Sequence, residues 1–152
     1  FLGVRFAAVA WGDYDGDGYA DLAVGIPFQD VNFMPVTDSA GAVFVIFGGQ
    51  SGLNTNQFQF LSQINNTIQG TAESFDYYGW AVSTGDYNGD GYADLAVGSP
   101  QDDEAVANGG TVTVFYGRED GLSNEHEQLW TQNSTDIPDT AEIGDLFGNA
   151  LP

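Results

Sequence analysis

Short apolar runs alternate with glycine-rich and acidic breaks along the whole chain, and the runs fall into two sets of four. In the first set Phe6 to Trp11 leads into an acidic loop, and Leu22 to Gly25 is closed by Ile26-Pro27. Ala42 to Phe47 lies between glycines, and Phe58 to Ile64 sets Phe58, Phe60 and Ser62 against Gln57, Gln59 and Gln63. The second set is Trp80 to Thr84, Leu95 to Gly98, Thr111 to Tyr116 and Glu127 to Gln132. Runs of this length, rich in Val, Phe and Ile and bounded by turn residues, predict β-strands. No window places apolar residues at helical spacing between caps, and glycine occurs 21 times, so the chain is predicted to be all-β.

The two sets are copies. Gly41-Ala42-Val43-Phe44-Val45-Ile46-Phe47-Gly48 matches Gly110-Thr111-Val112-Thr113-Val114-Phe115-Tyr116-Gly117 at an offset of 69, as Thr71-Ala72-Glu73 matches Thr140-Ala141-Glu142. The acidic stretches are offset by 73, because the loop Gln29 to Ala40 is four residues longer than Asp102 to Gly109. Four strands per repeat of constant length predict β-propeller blades, each a four-stranded antiparallel sheet. The expected units are residues 1–77, residues 78–146 and the start of a third repeat at 147–152, since 143–152 align with 74–83. Two blades cannot close a ring that takes 4–8. The chain, which begins at Phe1, therefore reads as part of a larger propeller or tandem array, with head-to-tail copies as the second reading.

Charge narrows the partners. Asp and Glu number 22 against two basic residues, Arg5 and Arg118, for a net charge of -20. Such a surface repels phosphate backbones and anionic bilayers, so nucleic acid is excluded as a partner. A hydrophobic content of 42% is too high for a disordered acidic tail. No apolar run approaches the roughly 20 residues that span a bilayer, so direct membrane insertion is not expected. There is no cysteine, hence neither disulfide framework nor thiolate metal site.

Much of the charge sits in Asp13-Tyr14-Asp15-Gly16-Asp17-Gly18-Tyr19-Ala20-Asp21 and its copy Asp86-Tyr87-Asn88-Gly89-Asp90-Gly91-Tyr92-Ala93-Asp94. Ca²⁺ takes six to eight oxygen ligands. Positions 1, 3 and 5 (Asp13, Asp15, Asp17; Asp86, Asn88, Asp90) supply alternating side-chain oxygens. Gly18 and Gly91 permit the sharp turn that presents the carbonyls of Tyr19 and Tyr92, and Asp21 and Asp94 close the cage. An EF-hand needs Glu at position 12 and flanking helices; here Val24 and Val97 stand there, in strand-like sequence. The prediction is two calcium sites, each in a long hairpin connection between adjacent strands. Seven carboxylates that repel one another in the empty loops become cross-links once filled.

Tyr78-Gly79-Trp80-Ala81-Val82, then Gly85-Asp86, the acidic loop, and Val97-Gly98-Ser99-Pro100 resemble the FG-GAP repeat of integrin alpha-chain β-propellers and their bacterial relatives. Val24-Gly25-Ile26-Pro27 closes the first copy, whose opening departs from the pattern with Arg5-Phe6, and Phe147-Gly148 opens another. The resemblance covers essentially the whole chain. It implies a seven-bladed parent, calcium in hairpin loops on one face, and partner binding on the opposite face.

The remaining chemistry is thin. His126, the only histidine, reads as a surface residue, and with no second His or Cys no triad or zinc site can be assembled. Trp11, Trp80 and Trp130 read as inter-blade packing rather than a sugar-stacking platform. Asp102-Asp103-Glu104 reads as a solvated loop, and Asn65-Asn66-Thr67 and Asn133-Ser134-Thr135 fit the N-glycosylation pattern. The expected function is a non-catalytic, calcium-stabilised binding or adhesion module for a protein or glycan, extracellular, at the cell surface or periplasmic. The Gln29–Ala40 loop, with Phe33, Met34 and Pro35, is its candidate contact. The alternatives are a structural repeat of an extracellular fibre or surface layer, and an accessory domain of a secreted enzyme.

Overall fold

The computed structural model of the chain describes residues 8–32, 36–65 and 68–152. Ten strands form among the described residues: β1 (Ala8–Gly12), β2 (Asp21–Ile26), β3 (Val31–Asn32), β4 (Val36–Thr37), β5 (Ala42–Ile46), β6 (Phe58–Leu61), β7 (Ala81–Gly85), β8 (Asp94–Ser99), β9 (Thr111–Phe115) and β10 (Gln128–Trp130). They make two four-stranded antiparallel sheets, ordered β1-β2-β5-β6 and β7-β8-β9-β10. These are the two predicted propeller blades. Each acidic stretch joins the first two strands of its blade as a long hairpin connection.

Two local expectations change. The long loop contains its own two-residue hairpin, β3 with β4, while Phe33, Met34 and Pro35 lie outside the described residues. The run Phe58 to Ile64 is strand only to Leu61, then turns through a 3-10 helix at Gln63–Asn65. Ser62 and Gln63 are nearly inaccessible there, while Gln59 is half-buried and Gln57 exposed, so tertiary packing buries the polar end of the run and not the whole polar half of the alternation.

Directly opposed residues of antiparallel strands point to the same face. In the first blade the rows Ala10–Ala23–Val45 and Gly25–Val43–Leu61 face the second blade. They meet Leu95, Val97 and Phe115, all fully buried, with Tyr14, Ile68, Tyr78 and Leu122 completing the core. The other face of the first blade carries Val9–Val24–Phe44–Phe60 and Trp11–Leu22–Ile46–Phe58. Trp11 is 57% exposed there, because no element among the described residues covers that face, so the expected inter-blade packing is not seen for it. Trp80 does sit at the junction, its ring centroid 6.1 Å from that of Phe28 in the first blade and 5.7 Å from that of Tyr77. Trp130 is half-buried on the outer face of the second blade, beside Val114, Leu151 and Pro152.

The glycines of the repeat explain how blades meet. A Cβ on Gly25 would fall on the Gly79 carbonyl, and a Cβ on Gly98 on the Gly148 carbonyl. Beside them the Tyr78 N–H donates to Ala40 O at 2.9 Å, as the Phe147 N–H donates to Gly109 O at 2.8 Å. The opening dipeptides Tyr78-Gly79 and Phe147-Gly148 thus dock by backbone contact on the glycine that ends the second-strand motif of the repeat before them. Only glycine allows that approach.

Candidate metal centre

The first loop gathers charge. One carboxylate oxygen from each of Asp13, Asp15 and Asp21 lies within 4.8 Å of the others, a grouping that could hold a metal ion. Its donors are hard oxygens, suited to Ca²⁺ or Mg²⁺ rather than to softer metals. Asp13 Oδ1 is buried without a hydrogen-bond partner, while Asp13 Oδ2 accepts the Gly18 N–H at 3.0 Å. An acceptor orphaned inside an acidic cluster fits a cation, because a buried unpaired oxygen costs about 1–3 kcal/mol. Burial raises the pKa of Asp15 and Asp21, opposed chiefly by backbone N–H groups; a bound cation would act with those N–H groups to favour the charged forms.

Asp17 and Asp15 also organise the turn: Asp15 Oδ1 accepts the Asp17 N–H at 3.2 Å and Asp17 Oδ1 accepts the Tyr19 N–H at 2.8 Å. Asp21 does more than close the loop. It is fully buried, with Oδ2 accepting the Tyr14 N–H and Oδ1 the Gly48 N–H, both at 2.7 Å. The carboxylate therefore ties the loop to the end of β5. Gly48 has to be glycine, since a Cβ would run into the Ala20 carbonyl.

The second loop repeats these ties. Asp94 is fully buried, accepting the Tyr87 N–H at 2.7 Å and the Gly117 N–H at 2.9 Å. Its acids are arranged differently, however. Asp86 accepts the N–H groups of Gly89, Asp90 and Gly91, Asn88 Nδ2 donates to Asp90 Oδ2 at 2.8 Å, and Asp90 Oδ1 accepts the Tyr92 N–H at 2.9 Å. Among the described residues, only the first loop brings three carboxylates together at metal-ligand spacing.

Sequence reasoning missed what the first loop touches. Tyr14, at position 2, is fully buried against the second blade, and its hydroxyl lies 2.6 Å from Thr84 Oγ1. Burial pushes its pKa up to about 12, so the hydroxyl stays protonated. The Ala93 N–H donates to Asp13 O at 3.0 Å and the Arg118 N–H to Tyr14 O at 3.2 Å. Gly48 and Gly117, at matching positions after the third strand of each repeat, were the available signal.

A second acidic group lies elsewhere. Asp102 is buried rather than solvated, its carboxylate taking hydrogen bonds from Gln63 Nε2 at 2.7 Å, Thr111 Oγ1 at 3.2 Å and the Glu104 N–H at 2.9 Å. Only Asp103 and Glu104 of that run are exposed. Asp76 is buried nearby, its Oδ2 accepting the Glu73 N–H at 2.6 Å. His126 and Asn133 are exposed, and Asn66 and Thr67 lie outside the described residues. No helix among the described residues is long and apolar enough to cross a membrane.

Two four-stranded blades with an aspartate-rich connection in each define a β-propeller module. The FG-GAP repeat model matches residues 6–46 and 78–115, and the chain belongs to the FG-GAP repeat family. Among curated relatives, integrin alpha-PS2 of Drosophila melanogaster is 33% identical over 146 residues, covering 95% of this chain and 10% of the relative. Integrin alpha-3 of Mus musculus is 31% identical over 139 residues, 91% of this chain and 12% of the relative. Phosphatidylinositol-glycan-specific phospholipase D of Rattus norvegicus is 32% identical over 129 residues, 79% of this chain and 14% of the relative. The chain thus spans a small part of the proteins it resembles.

Proposed function

We propose that this chain is a calcium-stabilised segment of an extracellular β-propeller, serving as a non-catalytic binding or adhesion module for a protein or glycan. The observation that carries the calcium reading is the Asp13, Asp15 and Asp21 cluster with its orphaned buried Asp13 oxygen. Asp13, Asp15, Asp17 and Asp21 with the Tyr19 carbonyl would hold one ion, and Asp86, Asn88, Asp90 and Asp94 with the Tyr92 carbonyl a second. Millimolar calcium outside the cytosol suits such sites, since extracellular modules bind with dissociation constants of about 10⁻⁴–10⁻³ M. The repeats divide at residues 77/78 and 146/147 in this reading. Further blades of the same chain, or head-to-tail copies, cover the apolar outer face of the first blade, where Val9, Trp11 and Phe58 are each more than half exposed.

Chelation is the test. Removing calcium is expected to lower unfolding stability by about 1 kcal/mol per site, restored by calcium and not by sodium. An unchanged melting curve would refute the calcium reading. An accessory role beside a catalytic domain is the second reading, favoured by the similarity to phospholipase D chains. Truncating the Gln29–Ala40 loop in the longest available chain separates the two, since only the binding reading expects ligand binding to weaken.

A further inference from the structure

The first acidic loop belongs to one blade by sequence and to two by contact. The hydrogen bond from Ala93 to Asp13 joins particular parts of the two loops. Asp13 is position 1 of the first loop, the residue whose side chain carries the orphaned oxygen. Ala93 is position 8 of the second, directly after Tyr92, whose carbonyl is that loop's candidate backbone ligand. The Tyr92–Ala93 peptide is a single rigid plane. Its carbonyl end is the second loop's candidate ligand, and its N–H end donates to Asp13 O of the first loop at 3.0 Å.

A second link runs through Gly117 and Arg118. The Gly117 N–H donates to Asp94 Oδ1 of the second loop at 2.9 Å. The next N–H, of Arg118, is shared between Tyr14 O of the first loop at 3.2 Å and Gly121 O of its own turn at 3.1 Å. Gly16 of the first loop lies under the Tyr92 ring so closely that a Cβ would come within 2.5 Å of it. The first loop therefore rests on backbone groups adjacent to those that the second loop uses.

We infer that the two loops bind their cations with positive coupling, transmitted across the blade interface through the Tyr92–Ala93 peptide and the Gly117–Arg118 pair. The inference rests on the calcium reading proposed above. A cation on the Tyr92 carbonyl fixes the peptide plane and polarises its N–H, which strengthens the bond to Asp13. Ordering one loop also removes part of the ordering cost of filling the other. Long-range charge acts in the opposite sense, because filling one acidic loop weakens the negative potential at its neighbour. At about 0.15 M salt that repulsion is screened over about 8 Å, whereas the hydrogen-bonded link is not.

The test is a calcium titration of the chain at 0.15 M salt, read by calorimetry and by the amide resonances of Gly18 and Gly91, one in each loop. The wild-type chain is compared with Asp86→Ala/Asp90→Ala, which disables the second loop, and Asp13→Ala/Asp15→Ala, which disables the first. The surviving loop in each variant is expected to bind about fivefold or more weakly than the same loop in the wild type. Linkage requires the two losses to be equal. With the first loop disabled, filling the second is still expected to move the Ala93 amide resonance. Should an alanine pair unfold the chain, Asp86→Asn/Asp90→Asn and Asp13→Asn/Asp15→Asn give the same readout. Surviving-loop affinities equal to those of the wild type would overturn the coupling and leave the calcium reading standing. Absence of binding at both loops of the wild type would overturn both.

Discussion

The first acidic loop and the second share their spacing and differ, among side-chain ligand positions, only at Asp15 against Asn88. Their settings differ far more. Tyr14 is wholly buried between blades and bonded to Thr84, whereas Tyr87 at the same position is 50% exposed. Asp13 keeps an orphaned oxygen beside two other carboxylates, while Asp86 is occupied by three N–H groups of its own turn. The sheets show the same contrast. Trp11, Leu22 and Ile46 form on the first blade the row that Thr84, Leu95 and Phe115 form on the second. Leu95 and Phe115 are fully buried, but Trp11 is mostly exposed. What differs is the neighbour: Tyr14 packs on the blade that follows it, the Leu95 and Phe115 row packs on the blade that precedes it, and the Trp11 row has no blade against it among the described residues.

That comparison can be broken by substitution. The largest effect is expected from Tyr14→Ala, which empties a fully buried, interface-spanning site and should cost about 3–5 kcal/mol. Tyr87→Ala should cost less than about 1 kcal/mol. Urea unfolding of both variants checks the difference, and equal losses would mean that the first loop does not brace the blades.

Glycines give the next test. Gly16 and Gly89 both have positive φ, at 72° and 78°, so alanine at either should cost roughly 1 kcal/mol for the left-handed backbone. Only at Gly16 does the added Cβ meet a ring, that of Tyr92. Gly16→Ala should therefore be worse than Gly89→Ala by about 1–2 kcal/mol, measured as the gap between their unfolding midpoints.

The smallest effect, per unit of pH, concerns Asp76 and its counterpart Asp145. Each accepts an N–H three residues back, from Glu73 at 2.6 Å and from Glu142 at 2.7 Å. Asp76 is buried and Asp145 exposed. Burial first, then the charges of Asp102, Glu73 and Asp103, push the Asp76 pKa up to about 8, against the one backbone hydrogen bond. The folded chain then holds this proton more tightly than the unfolded chain. The contribution of Asp76 to stability is accordingly greatest on the acid side and falls as pH rises from the ordinary carboxylate range through about 8. Asp76→Asn should flatten that fall, by no more than about 1.4 kcal/mol per pH unit, in chelator-treated protein followed by thermal unfolding. Asp145→Asn, in the same bond but open to solvent, is the matched control.

The fold was legible because its signals are local and doubled. Ala42 to Phe47 between glycines, and its copy Thr111 to Tyr116, predict a strand from composition alone, and the offset between copies gives the blade. Asp21 and Asp94 could be placed at the end of an acidic loop, but their bonds to Gly48 and Gly117 bring together residues 27 and 23 positions apart. The fate of Asp102 was likewise invisible in a run of three acids, because Gln63 and Thr111 reach it from elsewhere in the chain.

The sequence by itself determined two four-stranded repeats, their all-β character and the aspartate-glycine loops between their first strands. Those follow from alternation, turn residues and spacing, which act over a few residues. Tertiary structure alone decided that Tyr14 is an interface residue, that Trp11 is exposed, and that the Tyr92–Ala93 peptide bonds to the neighbouring loop. The physical reason is that burial and backbone pairing between blades depend on which faces meet. Two loops with the same spacing acquire different surroundings once one of them is pressed against a neighbour.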